Sequence, residues 1–372
     1  MQNNLTAIIG AGLSGLHAAW RLQMAGLPVM LIETRERTGG RILSLPMEDG
    51  AHHLDLGPSW YWPELNPLMS EWVQRLKLPH YPQQTQGASF IEDANGNIKR
   101  LSDTWEPSPP SMRIQGGMAA LVNGIQNLLT DVNWQMNTRV EAMQLLPDRS
   151  ISLSLAQGAR RWEQPASRVI STLPPRLLCD INSTPPWPDA QKQQWRHTPT
   201  WMAGHAKFIA LYERAFWREA GCSGTAMSQR GPLTEIHDAS DEQGKHAALF
   251  GFFGVPAIHR QNMGNTILCQ QAIDQLCRLF GTQAKTPIRS VIQDWTQEPC
   301  TATALDQQPL YHHPNYESPT VPTAWQGHLW LAGTEFAPIS GGFLEGALES
   351  AELAAEELLR NAAHERMNQR FP

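Results

Sequence analysis

The segment Leu5-Thr6-Ala7-Ile8-Ile9-Gly10-Ala11-Gly12-Leu13-Ser14-Gly15, followed after one helix length by Val29-Met30-Leu31-Ile32-Glu33, decides the fold. The apolar run Leu5–Ile9 predicts a strand. Behind the glycines, Leu13, Leu16, Ala19, Trp20 and Leu22 recur at near-helical spacing, and Gly26 with Pro28 just beyond closes that helix. Val29–Ile32 predicts a second strand, and Glu33 ends it. Strand, glycine turn, helix, strand and acid form a complete βαβ unit. Gly10 permits the tight turn, Gly12 lets a pyrophosphate approach the backbone, and Gly15 lets the helix pack on the strand. The helix N-terminus offers unpaired N–H groups and a partial positive charge to phosphates. Glu33 stands where a carboxylate accepts hydrogen bonds from a ribose diol. The stretch predicts a dinucleotide site; a glycine-rich turn followed by a surface glutamate is the competing reading.

Outward from this unit, a chain of 372 residues suits two domains. Net charge is -6 and the 29 Lys and Arg residues are scattered, so no nucleic-acid partner is expected. No run of 18 apolar residues predicts a membrane span, and Met1–Thr6 leaves no room for a signal peptide. Cys179, Cys222, Cys269, Cys277 and Cys300 are odd in number and lack metal-type spacing. They read as reduced thiols of a cytoplasmic protein. The 13 histidines show no ligand spacing either, so no metal is expected. Further elements are a helix over 116–129, a hairpin over 140–155, strands at 168–173, 206–212 and 329–332, and helices near 267–280 and 343–362. Residues 60–111 show little periodicity.

Three further stretches carry a resemblance. Glu33-Thr34-Arg35-Glu36-Arg37-Thr38-Gly39-Gly40-Arg41, Asp55-Leu56-Gly57-Pro58-Ser59-Trp60, and the pair Leu331-Ala332-Gly333-Thr334-Glu335 and Ser340-Gly341-Gly342-Phe343-Leu344-Glu345-Gly346-Ala347 stand in this order. Together with Gly10, Gly12 and Gly15 they resemble the FAD-binding motifs of the flavin-containing amine oxidases. The chemistry fits: Gly39 and Gly40 allow close backbone approach, and the planar fork of Arg41 suits a phosphate. Gly341-Gly342 opens a helix whose N-terminus suits the negative charge that gathers on a reduced flavin ring. The resemblance places Arg35, Gly57, Pro58, Ser59, Trp60, Val140, Trp295, Gly333, Gly342, Phe343 and Leu344 around FAD, and Glu335 near its ribityl and pyrophosphate. It also implies that Lys207, in Lys207-Phe208-Ile209-Ala210-Leu211-Tyr212, holds a water at the flavin N5 and assists reoxidation by oxygen. A lysine inside an apolar strand is costly unless it is solvated or functional. An edge lysine snorkelling to solvent is the alternative.

The departures are informative. Trp295 and Glu298 match a stretch that leads to a flavin-linking cysteine in some relatives, but Ala304 falls at that position and Cys300 comes four residues early. Non-covalent FAD is therefore expected. Phe343 matches one of two aromatic rings that flank the substrate nitrogen, while Leu305 falls at the other. Pro58 replaces a usual small residue. The expected fold class is α/β: an FAD-binding Rossmann-like domain of the glutathione-reductase and amine-oxidase type, with an α+β substrate domain. The flavin domain is expected from residues 1–75, 112–180 and 295–372, and the substrate domain from 76–111 and 181–294. The leading function is an FAD oxidase: a hydride passes from an amine substrate to flavin N5, and oxygen is the electron acceptor. A desaturase-like or protoporphyrinogen-oxidase-like enzyme with a non-amine substrate is the alternative. The charged C-terminal segment around Glu356, Glu357 and Arg360 predicts no membrane anchor.

Overall fold

A computed structural model describes residues 4–47, 53–102 and 108–370. The βαβ unit forms as the sequence predicts, with strands Thr6–Ile9 and Val29–Ile32 around helix Leu13–Met24. These strands join Val132–Gln135, Arg168–Ser171 and Leu329–Leu331 in a parallel sheet. Its spatial order runs 329–331, 168–171, 6–9, 29–32, 132–135. Thr6–Ile9 and Val29–Ile32 are buried throughout, as strands covered on both faces must be. On one face lie Leu16, Ala19 and Leu22 of the first helix with Leu348, Ala351 and Leu358 of the Leu344–Arg370 helix. On the other face a mixed four-stranded sheet packs Val140, Met143 and Leu153 against Ile9 and Met30. Trp187 and Trp195 pack in that same cluster, on the dinucleotide side of the molecule.

A second, seven-stranded sheet is ordered 289–294, 206–212, 247–253, 233–238, 222–228, 88–92, 98–101. The expected strand at Ala206–Tyr212 lies within it, buried at all seven positions. Its residues nevertheless divide by parity. Ala206, Phe208, Ala210 and Tyr212 pack with Leu268 and Leu276 of the Ala257–Phe280 helix. Ile209 and Leu211 pack with Leu54 and Leu56, in and just after the His53–Asp55 strand. The odd-numbered face of this strand therefore looks toward the parallel sheet.

Two differences from the sequence expectation have physical causes. The helix expected at 267–280 is preceded, across a kink at Gly264 (φ 77°), by a further helical stretch from Ala257 that the sequence reading did not anticipate. Pro67–Arg75 is a helix although residues 60–111 had shown little pattern; it buries only Met69, Trp72 and Val73. Three buried positions on nine residues make a weak period.

Gly15 has no room for a side chain: a Cβ there would lie 1.9 Å from the carbonyl oxygen of Gly10. Gly15→Ala is expected to destabilise the protein by about 3 kcal/mol or more, since backbone on both sides is pinned. Gly26→Ala, whose Cβ would meet nothing within 4 Å, should cost only the roughly 1–2 kcal/mol of its left-handed φ of 70°. Thermal unfolding of the two variants checks this, and equal losses would refute the packing argument.

Candidate active site

A cavity of about 1680 Å³ lies between the two sheets. Single-ligand sites usually measure roughly 300–1,000 Å³, so this one has room for a dinucleotide and a second ligand. Gly10, Gly12, Glu33, Arg35, Gly40, Arg41, Gly57, Pro58, Ser59, Trp60, Val140, Lys207, Trp295, Gly333, Gly342, Phe343 and Leu344 all line it. Gly15 and Glu335 do not: Gly15 packs beneath Gly10, and Glu335 stands behind Arg41.

At one end the first two glycine loops touch. Gly39 N–H donates to Ala11 O at 2.8 Å, and a Cβ on Gly40 would come within 3.3 Å of the Gly12 Cα. This bare backbone cradle suits a pyrophosphate. Buried Glu33 is held from both sides, its Oε2 accepting from Ala11 N–H and its Oε1 from Arg35 N–H, each at 2.9 Å. Each oxygen keeps a lone pair for a ribose hydroxyl. Arg35 donates to Thr301 Oγ1 at 2.9 Å and approaches Glu298 at 3.4 Å. Cys300 belongs to this end too: burial pushes its thiol up, and Arg35 and Glu33 are among the charges acting on it. Arg41, expected to meet a phosphate, lines the cavity and also has a partner within the protein. Its guanidinium forks onto Glu335 at 2.6 and 2.9 Å. Burial opposes the Arg41 charge, but the buried Glu335 carboxylate outweighs it and holds its pKa above the usual arginine value.

The other end is built around Lys207. It is 2% exposed, which removes the snorkelling alternative. Nζ donates to Ser59 Oγ at 2.6 Å and to Gly57 O at 3.1 Å, and lies 4.1 Å from the centroid of the Phe250 ring. Burial nevertheless lowers its pKa to about 7. Trp295 Nε1 donates to Leu56 O at 3.2 Å, and Trp60 Nε1 to Gln83 Oε1 at 2.7 Å. Phe343 stacks on His313 at 4.9 Å with the planes 2° apart. Leu305, at the second expected ring position, is 49% exposed and does not line the cavity.

Sequence reasoning missed Glu235, Trp201, His205 and Arg260, which also line the cavity. Glu235 pairs with His237 Nε2 at 2.6 Å, and that hydrogen bond holds its carboxyl below the usual range against burial. Phe252 pairs with Lys207 on one side and with Glu235 on the other. Lys207, Phe252 and Glu235 thus share one row on one face, with Lys207 and Glu235 two strand spacings, roughly 10 Å, apart. The alternation within Leu233–Asp238 would have put Glu235 and His237 on one face; only sheet order sets that face opposite the glycine loops. Among the described residues no cluster of His, Cys, Asp and Glu fits a metal ion, and no helix is long and apolar enough to cross a membrane.

Comparison with known proteins agrees with this geometry. The family described as flavin containing amine oxidoreductase matches residues 92–359, and the NAD(P)-binding Rossmann-like domain matches residues 8–76. Human amine oxidase [flavin-containing] B is 22% identical over 459 aligned positions, covering 95% of this chain and 85% of that protein. The cyclohexylamine oxidase of Brevibacterium oxydans shares the fold with a TM-score of 0.79 at 18% identity, covering 97% of this chain and 100% of that one. A putrescine oxidase solved with putrescine bound shares it with a TM-score of 0.77 at 20% identity, covering 96% and 99%. The glycine cradle, the buried acid beside it and the family match over most of the chain agree: this protein belongs to the flavin-containing amine oxidoreductases and is an FAD-dependent enzyme.

Proposed function

We propose that this enzyme oxidises a small amine bearing a second cationic group, with FAD held non-covalently and oxygen as the electron acceptor. The observation that carries the reading is the row Lys207–Phe252–Glu235 across one cavity wall. Lys207 marks the redox end. Glu235 offers a carboxylate, braced by His237, to a distant ammonium, and the putrescine-bound relative makes a diamine a natural test substrate.

FAD, when bound, supplies the two-electron acceptor for the hydride that leaves the amine α-carbon. The chain's residues bind and orient around it. The Gly10–Gly12 and Gly39–Gly40 backbones receive the pyrophosphate, and Glu33 receives the ribose hydroxyls. Trp295, Val140, Gly333, Gly342 and Leu344 line its bed, and Arg41 with Glu335 stiffens the junction of two loops. Lys207 holds a proton over Ser59, where developing negative charge is stabilised far more than in water. Phe343 offers an aromatic wall to the amine. We assign the flavin to the discontinuous unit 1–75, 112–180 and 295–372, with 181–200 packed on its side. The amine falls to 76–111 and the remainder of 181–294. The five unpaired cysteines support a cytoplasmic setting. The position of Leu305 outside the cavity favours a second reading, a non-amine substrate as in desaturases; failure of every amine to bleach the flavin anaerobically would select it.

Three outcomes are expected. Acid precipitation should release all flavin into the supernatant, because Ala304 stands where a linking cysteine would be and Cys300 lies at the Glu33 end. Colour in the pellet would contradict this. Lys207→Met should slow reoxidation of the reduced enzyme by oxygen by about one to three powers of ten while substrate reduction changes less. In the wild type the ammonium is present below its pKa of about 7, so reoxidation should slow as pH rises through that value. Stopped-flow mixing with oxygen reads both; equal rates in mutant and wild type would remove Lys207 from the chemistry. Glu235→Gln should lower kcat/KM for putrescine about 10- to 100-fold, the scale of one hydrogen bond to a charged group, and leave n-butylamine nearly unchanged. Equal losses on both amines would dismiss Glu235 as the distal anchor.

A further inference from the structure

His205 stands two residues before Lys207, and both side chains line the cavity. On an extended chain, positions two apart share a face. The backbone of His205 is fixed, its carbonyl accepting from Trp295 N–H at 3.0 Å. Its ring lies 5.9 Å from that of Trp201, which in turn crowds Gly342 beside Phe343. Continuing the register that pairs Lys207 with Phe252 sets His205 across from Gly254, which has no side chain to cover the imidazole.

The two basic groups on this face differ in what remains open to them. Lys207 is engaged by Ser59 and Gly57. Among the described residues His205 Nδ1 is buried with no hydrogen-bond partner. Burial first, and then the neighbouring Arg260 charge, hold the imidazole below the usual histidine pKa, so it is neutral at pH 7, with one nitrogen donating and one accepting. Arg260 is largely engaged: four of its five N–H donors go to Asp294 at 2.8 Å twice, to Val255 O and to Gly204 O. Nδ1 is closed off from the cavity, so the nitrogen of this ring that can meet a ligand there is Nε2.

We propose that His205 is a binding residue for the substrate's amino group, its imidazole accepting a hydrogen bond from the amine N–H. The inference rests on the amine reading above and adds a residue to it. A neutral acceptor beside a fixed arginine favours an uncharged amino group over an ammonium, and loss of the α-hydride requires the uncharged form.

The test uses the FAD-loaded enzyme and tert-butylamine, an amine with no α-hydrogen, whose binding is read from the flavin absorbance. His205→Leu should raise its dissociation constant about tenfold or more, the effect of one lost hydrogen bond. His205→Gln, which places an amide near Nε2, should restore binding to within about threefold of wild type. Unchanged affinity in His205→Leu, with the wild type binding normally, overturns the proposal and leaves the amine reading intact. Lowered FAD occupancy in His205→Leu also overturns it, since the ring would then serve the cofactor. A wild type that neither binds tert-butylamine nor is bleached by putrescine sinks the amine reading and this inference together.

Discussion

The desolvated ammonium of Lys207 is the constraint around which the two halves of this protein are arranged. An amine buried to 2% exposure destabilises a fold unless it is met by oriented dipoles. Here one carbonyl, one hydroxyl and the face of a phenylalanine meet it. The carbonyl and hydroxyl come from the flavin-side loop at Gly57 and Ser59, and the lysine and ring from the seven-stranded sheet. Satisfying Lys207 therefore docks the sheet on the loop. Pro58 between the two acceptors restricts the backbone that presents them. Residual burial cost appears as a pKa near 7, which leaves the proton poised at the boundary between the cofactor bed and the substrate wall.

The cofactor bed is kept open by absence of side chains and kept in register by charge. Gly12 and Gly40 approach so closely that the bed is lined by backbone. Glu33, held by Ala11 and Arg35 N–H groups, is aimed before any ligand arrives, which reduces the ordering cost of binding. The Arg41–Glu335 fork joins the loop after the second glycine pair to the loop before the last helix. A partly buried bidentate pair of this kind contributes geometry more securely than net stability. Its role is to fix the two loops relative to each other.

The substrate wall follows from strand pairing. Lys207, Phe252 and Glu235 come from three strands and fall in one row because the register sets them there. A one-residue slip at either pairing would turn Glu235 or Lys207 to the opposite face, into the cluster of Phe208, Leu249 and Leu276. The packing of that apolar cluster against the Ala257–Phe280 helix thus protects the chemistry on the reverse side. Phe343 is held differently, by face-to-face contact with His313 from a proline-rich segment, so one ring face remains for a ligand.

The sequence by itself determined the βαβ unit, the order of the glycine motifs, Glu33 as the acid after the second strand, and the strand that carries Lys207. Each of these rests on local chemistry: a glycine where backbone must approach backbone, or an apolar period over a few residues. The tertiary structure alone decided the rest. The fold brings Glu335 to the Arg41 fork from 294 residues away, a pairing no local pattern carries. Leu305 stands where a second aromatic ring was expected, and its loop sets it outside the cavity. Glu235, His205 and Arg260 lie in no contiguous motif: sheet order and strand register bring the first two to the cavity, and the Ala257–Phe280 helix brings the third. Hydrogen-bond partners and cavity walls made by residues far apart in the chain leave no periodic trace in the chain, which is why the cofactor end was legible and the substrate end was not.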